Sequence, residues 1–348
     1  MPEQGMAEAD PSIFPALSVV PERIVRDEAE LDALLKSARE PFLVRGLVAS
    51  WPLVKAGLKS NSAARTYLVD RARPVQFAIS LGPPEHNGRM FYDEEMAMNF
   101  RMGKGKLSEI FAGFEKHEAQ PGAPTAYLGS IDIRQHFDGV AEENPPPLGD
   151  RQPRESIWIG TATRLAAHHD FPDNLACCAA GKRRFTLFPP DQFKNLYLGP
   201  LDNTPAGRPI SMVDFDAPDY ERFPRFADAL EYAQVAVLEP GDAVFIPSMW
   251  WHHVEGLAEF NILVNYWWRD VPSFAGDPQT ALNHAILALR DLPDKDKAIW
   301  RDLFDHYVFE NGPDSIDHIP AGSRGILEPL DSASASRLRA FLLRMLNS

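Results

Sequence analysis

Apolar positions along this chain keep two rhythms, and the change between them falls near residue 272. In residues 27–38, Leu31, Leu34 and Leu35 recur at helical spacing, which predicts a short amphipathic helix. Pro41-Phe42-Leu43-Val44-Arg45-Gly46-Leu47 reads as a buried strand stopped by glycine. A loop and a helix are expected from Trp51 to Ala72, a strand over 74–79, and a turn over 81–87 where two prolines and a glycine cluster. Residues 107–118 predict a helix, and Ala126-Tyr127-Leu128-Gly129 opens the next strand. Residues 142–153, rich in proline and charge, read as an exposed connection.

From there the pattern is one of short strands: 156–160, 176–188 with a tight turn at Gly181, 235–238, 243–246 and 261–268. Between them, 199–235 is irregular and proline-rich, the kind of long loop that forms a lid, a substrate wall or plain scaffold. Beyond Pro272 the rhythm becomes helical over 280–290, 296–309 and 334–346. Many short strands followed by helices predict a mainly β protein of the jelly-roll kind with a helical appendix. Residues 1–20 read as a flexible arm, 21–272 as the main domain and 273–348 as a C-terminal helical region.

Composition narrows this little. A chain of 348 residues, 45% hydrophobic and 10% aromatic, can hold one large domain with additions, or two domains. Its net charge of -14 argues against a nucleic-acid partner. No run of about 18 apolar residues suggests a membrane span. The acidic start lacks the order of a signal peptide, and the cysteines, Cys177 and Cys178, are adjacent, which rules out an ordinary disulfide scaffold. A cytoplasmic location is the expectation.

Two stretches carry chemistry: Leu165-Ala166-Ala167-His168-His169-Asp170 and Trp250-Trp251-His252-His253-Val254. On a strand, His168 and Asp170 point to one face and His169 to the other. One imidazole, one carboxylate and a histidine from a neighbouring strand make the 2-His-1-carboxylate set of non-haem Fe(II) oxygenases. A bare His-x-Asp is common; its company here makes it specific. That company is Leu187-Phe188-Pro189-Pro190-Asp191-Gln192-Phe193, Val213-Asp214-Phe215-Asp216, Trp250-Trp251-His252-His253 and Val264-Asn265 before an aromatic pair.

With these motifs the chain resembles the cupin-like JmjC family of Fe(II)- and 2-oxoglutarate-dependent oxygenases, and within it the asparaginyl hydroxylases, over roughly residues 127–268. The resemblance implies a double-stranded β-helix (jelly-roll/cupin) core with N-terminal α/β additions and a C-terminal helical tail that makes a homodimer. It implies His168, Asp170 and His252 as ligands of Fe(II), with His169 and His253 as packing. It implies 2-oxoglutarate as cosubstrate, its distal carboxylate held by Arg183 where those hydroxylases carry lysine, with Tyr127, Asn174, Asn265 and Trp267 lining the pocket. The threonine expected before His-x-Asp is Leu165 here. The implied activity is a dioxygenase that couples O2 and 2-oxoglutarate to hydroxylation of a protein, peptide or small-molecule substrate. Arg183 and Leu165 keep open a metal-dependent cupin dioxygenase or isomerase without 2-oxoglutarate, and a non-catalytic metal-binding module stands beside both. Pro209 and Ile210 replace polar residues that engage a peptide in the asparaginyl hydroxylases, so their substrates are not transferred.

Overall fold

The computed structural model describes residues 14, 17–118, 120, 122–312 and 315–347. Most of the expected flexible arm, residues 1–13, 15 and 16, lies outside the described residues; its end does not, because Ser18–Val19 forms β1. Then follow α1 (Glu28–Ser37), β2 (Phe42–Val44), α2 (Pro52–Lys59), α3 (Asn61–Val69), β3 (Phe77–Gly82), β4 (Arg89–Met90) and β5 (Arg101–Gly105). After α4 (Leu107–His117) come β6 (Thr125–Asp132), α5 (Ile133–His136), α6 (Val140–Glu143) and β7 (Arg154–Gly160). The last strands are β8 (Arg164–His169), β9 (Asp173–Ala180), β10 (Arg183–Phe188), β11 (Gln234–Leu238), β12 (Ala243–Ile246), β13 (Trp251–Gly256) and β14 (Asn261–Trp268), with α7 (Phe226–Leu230) before β11.

Two sheets result. One runs β1-β11-β10-β13-β8-β4 and the other β2-β12-β9-β14-β7-β6-β3-β5. From β7 to β14 the chain repeatedly changes sheet, so β8, β10, β11 and β13 face β9, β12, β14 and β7, the four-on-four arrangement of a jelly roll. Each inner face contributes every second residue to the space between the sheets: Phe185 and Leu187 from β10, Val254 from β13, Leu263 from β14. The adjacent cysteines obey the same alternation. Cys178 packs between the sheets and Cys177 joins the cluster on the far side, so both remain free thiols.

The N-terminal helices cover the outer face of the larger sheet. Asp27 caps α1 by accepting from the Glu30 N–H at 2.9 Å, and Leu31 and Leu35 turn inward. The expected single helix before Ala72 is two, because Ser60 ends α2 and caps α3 by accepting from Ala63 N–H at 3.0 Å. Gly57 lets α2 lie against β9; a Cβ there would stand 2.4 Å from the Ala179 carbonyl oxygen. The strand expected over 74–79 lies later, at Phe77–Gly82, where Ser80 and Leu81 pair with β6. Residues 142–153 are not simply an exposed connection either. Asn144 and Leu148 are buried, and Asn144 Oδ1 accepts from Leu53 N–H at 3.0 Å.

Asp270–Ser348 forms a second unit, helical throughout its regular structure. It holds α8 (Pro278–Leu289), α9 (Asp294–Phe304), which runs into a wider turn over Asp305–Phe309, and α10 (Ser332–Leu346). Asp277 and Asp331 cap α8 and α10. Neither α8 nor α9 buries a residue, and α10 buries only Ala335.

Candidate metal and cosubstrate site

Strands β8 and β13 pair so that His168 lies opposite His252 and His169 opposite Trp251. The paired imidazoles face the space between the sheets with ring centroids 4.4 Å apart. Asp170 follows β8 directly, and its backbone oxygen accepts from Met249 N–H at 2.9 Å, which ties the turn before β13 to the end of β8. Met249 takes a left-handed φ of 68°, the strained conformation that this tight turn requires. His252 Nε2 stands 3.7 Å from Asp170 Oδ2.

Each inward imidazole is oriented by its own strand. His168 Nδ1–H donates to the Ala166 carbonyl at 2.9 Å, and His252 Nδ1–H to the Trp250 carbonyl at 3.1 Å. These bonds fix the tautomer and leave both Nε2 lone pairs directed away from the backbone, as in a metal-binding histidine whose other ring nitrogen donates to a carbonyl. Burial pushes the His252 pKa down to about 4, so the ring is a neutral donor at physiological pH. Two imidazoles held by their Nδ1–H bonds and a carboxylate fit a divalent first-row metal. As they stand the donors are loosely set: among the described residues no three His, Cys, Asp or Glu side chains converge tightly enough to make a closed metal cluster.

A cavity of about 850 Å³ extends from these residues between the sheets, and all eight residues singled out in the sequence line it. Arg183, the first residue of β10, is 1% exposed and has no carboxylate partner among the described residues. Its guanidinium donates to the Tyr127 hydroxyl, while Nε and Nη2 bond to nothing. Burial lowers the Arg183 pKa from its ordinary value, yet an arginine holds its proton, so a charge is buried here without a counter-charge. Burial likewise raises the Tyr127 phenol. Leu187, four residues along β10, lies opposite His252. Arg183 therefore sits roughly 13 Å along the strand from the histidine level. A short dicarboxylate can bridge that distance between a metal and a guanidinium. Asn265 Nδ2–H donates to Asn174 Oδ1 at 2.7 Å, and Asn265 Oδ1 and Trp267 Nε1 are left without partners.

Comparison with known proteins agrees with this architecture. Residues 28–274 match the family model described as a cupin-like domain. The chain belongs to the cupin-like domain family. The tRNA wybutosine-synthesizing protein 5 of Danio rerio is 33% identical over 150 residues, covering 42% of this chain and 43% of that protein. Lysine-specific demethylase 8 of Xenopus tropicalis is 32% identical over 238 residues, 66% of this chain and 48% of the relative. HSPB1-associated protein 1 of Homo sapiens is 32% identical over 247 residues, 67% and 49%. The chain spans about half the length of the curated relatives it matches. With relatives named as JmjC proteins and demethylases, this cupin-like domain is of the JmjC type.

Within this cupin-like domain the structure also supplies residues that the sequence did not single out. Trp158 stacks on Tyr127 at 6.0 Å and meets Trp267 edge-on at 5.8 Å, and its Nε1–H has no partner. Alternation in β7 already placed Ser156, Trp158 and Gly160 on one face, a signal that identifies the cavity wall once the strand's neighbours are known. Leu165 does line the cavity, so the hydroxyl beside Arg183 comes from Tyr127. Of the irregular region 199–235, Pro205, Gly207, Arg208 and Ile210 form a cavity wall, while Phe215 and Phe226 pack beneath the smaller sheet. His169 and His253 turn outward. His169 packs edge-on against Trp251 at 4.4 Å and His253 against Phe215 at 4.5 Å.

Proposed function

We propose that this protein is an Fe(II)- and 2-oxoglutarate-dependent oxygenase, a dioxygenase that hydroxylates a protein side chain or a small molecule. His168, Asp170 and His252 would hold the iron, and Arg183 with Tyr127 the distal carboxylate of 2-oxoglutarate. The observation that carries the reading is Arg183, a fully buried cation with two nitrogens, Nε and Nη2, unbonded among the described residues, at the closed end of a cavity whose other end holds two oriented histidines. Bound iron and 2-oxoglutarate together supply the O2-derived oxidising power that this set of side chains lacks. The chain's own residues bind and orient. The Ala166 and Trp250 carbonyls hold the imidazoles in the donor tautomer, Asn174 and Asn265 lock each other on the cavity floor, and Trp158 and Trp267 wall the cosubstrate channel against water. The motifs by which the chain resembles asparaginyl hydroxylases support hydroxylation as the outcome, and the net charge of -14 supports a substrate other than a polyanion.

Anaerobic reconstitution with Fe(II), followed by titration with 2-oxoglutarate, tests the reading. A weak visible charge-transfer band is expected in the wild type and its loss in His168→Ala. Stoichiometric iron without a band would remove 2-oxoglutarate and favour a cupin dioxygenase or isomerase that does not use it, the reading for which Leu165 speaks.

The C-terminal unit supports a homodimer. Phe341, Leu342, Leu343, Met345 and Leu346 of α10 remain 44–58% exposed, an apolar surface that a second copy would cover. Sedimentation of the wild type as a dimer and of Leu342→Glu as a monomer is the expected result; a monomeric wild type would rule the homodimer out.

A further inference from the structure

Building on the oxygenase reading, we infer that the substrate carries an anionic group, a carboxylate or a phosphate, bound at the cavity mouth by Arg154 and Arg269 and faced by Arg208. The register of the larger sheet locates the first two. Arg154 on β7 and Asn174 on β9 both pair with Trp267 on β14, one level outward from Asn265. Arg269 lies two residues beyond Trp267, which is roughly 7 Å further along the strand direction. Arg183 marks the opposite, closed end, four residues down β10 from the histidine level. The two anion-binding regions are therefore on opposite sides of the metal ligands, and the outer one has no part in holding the cosubstrate's distal carboxylate. The third arginine comes from the other wall: Arg208 lies 4.0 Å over the Phe171 ring, next to Asp170.

Charge bookkeeping makes this set unusual for the chain that bears it. The protein has 35 Lys and Arg against 49 Asp and Glu. The cavity reverses that balance: its ionised lining is Arg154, Arg183, Arg208 and Arg269 against the single carboxylate of Asp170. Asp170 belongs to the metal in the oxygenase reading, and among the described residues no other Asp or Glu lines this cavity. Arg154 and Arg269 are exposed, and neither side chain forms an ion pair or hydrogen bond among the described residues. Planar guanidinium groups are suited to carboxylate and phosphate oxygens, and a lysine or methyl-lysine side chain would meet repulsion here. The acidic surface disfavours the approach of a long polyanion, whereas the mouth reads one anionic group at short range.

The test is calorimetric titration of the Fe(II)-loaded full chain, without oxygen and saturated with 2-oxoglutarate. The probes are inorganic pyrophosphate, N-acetylaspartate and, as the cationic control, Nα-acetyl-lysine amide. At least one of the two anions is expected to bind one to one, and which one binds separates the phosphate source from the carboxylate. Arg154→Gln combined with Arg269→Gln should weaken that anion at least tenfold, Arg154→Lys with Arg269→Lys should restore part of the loss, and the lysine probe should not bind. Binding of neither anion, tighter binding of the lysine probe, or an affinity indifferent to the double substitution would overturn the inference. Should 2-oxoglutarate itself fail to bind, the oxygenase reading falls, and the same titrations without it still judge the arginines.

Discussion

Replacing Arg183 with methionine should make the metal-loaded protein more stable and at the same time unable to use 2-oxoglutarate. The guanidinium is 1% exposed and, among the described residues, lacks a carboxylate partner and keeps Nε and Nη2 unbonded. Exchanging such a charge for an apolar side chain of similar length relieves about 2–4 kcal/mol of desolvation. The Tyr127 hydroxyl then loses its partner, which costs about 1 kcal/mol, so a net gain of about 1–3 kcal/mol is expected. In the ligand-bound protein the sign reverses. Two charge-assisted hydrogen bonds to a carboxylate contribute about 3–5 kcal/mol, so Kd for 2-oxoglutarate should rise by roughly 10²- to 10³-fold or more. Urea denaturation with and without cosubstrate reads both effects. At a concentration of 100 times the wild-type Kd, the wild type gains about 2.7 kcal/mol, while the variant gains at most about 0.4 kcal/mol. Arg183→Lys should fall between them, since a point charge replaces a two-pronged donor. A destabilised Arg183→Met that still gains fully from 2-oxoglutarate would show that the arginine is structural and the anchor lies elsewhere.

Three further substitutions test the frame around the site. Gly57→Ala should destabilise by about 2–4 kcal/mol in chemical denaturation, because its Cβ would meet the Ala179 oxygen at 2.4 Å and the Ala180 Cβ at 2.8 Å; an unchanged midpoint would mean that α2 does not press on β9. Glu118→Gln should cost about 2–3 kcal/mol at neutral pH, since buried Arg65 bonds Glu118 at 3.0 Å and keeps only Glu115 at 3.3 Å. Arg65 holds the Glu118 carboxyl below its ordinary 4.5, so the unfolded chain takes up the proton first on acidification; the cost should be constant above that pH and fade as pH falls through the folded-state value. A difference between variant and wild type that stayed the same down to pH 3 would contradict that assignment. His253→Phe should change stability by less than about 1 kcal/mol and leave iron content unchanged, because the ring already stacks with Phe215 and Phe14; loss of iron in this variant would reassign the ligands.

What could be read from the sequence divides along physical lines. Strands buried on both faces announce themselves, as Asn261–Trp268 does with its β-branched and aromatic run. Arg101–Gly105 does not: it is an exposed edge strand with two glycines, and neither hydrophobicity nor alternation marks it. The two-residue strands β1 and β4 owe their existence to neighbours in space. The composition of residues 142–153 suggests solvent, yet Asn144 is buried because its amide satisfies the Leu53 N–H and the Val140 carbonyl, a role set by tertiary contacts. The inward pair, His168 and His252, was legible because alternation sets the two histidines of each stretch on opposite faces and the family motif says which of them turns inward. Arg183 could be located by its motif, but its missing counter-charge is a property of three dimensions. So is the gathering of Arg154, Arg208 and Arg269 around one cavity, since they lie far apart in sequence.

Register also explains why each inward histidine has a histidine neighbour. A slip of one residue between β8 and β13 would turn His169 inward and bury His168 on the wrong face, since every side chain exchanges sides. The outward pair opposes that slip. His169 meets Trp251, its partner across the ladder, and His253 fills a place between Phe215 and Phe14, with an irregularity in the pairing between His252 and Val254. Burial pushes His169 to about 4 and His253 to about 3, so both pack as neutral rings at physiological pH. Neither outward ring lines the cavity, and in both Nδ1 is left without a hydrogen-bond partner, unlike the inward rings whose Nδ1 is tied to a carbonyl. The outward histidines, His169 and His253, are therefore packing groups in this fold. In each pair one imidazole faces the cavity, and the other provides the packing that decides which one does.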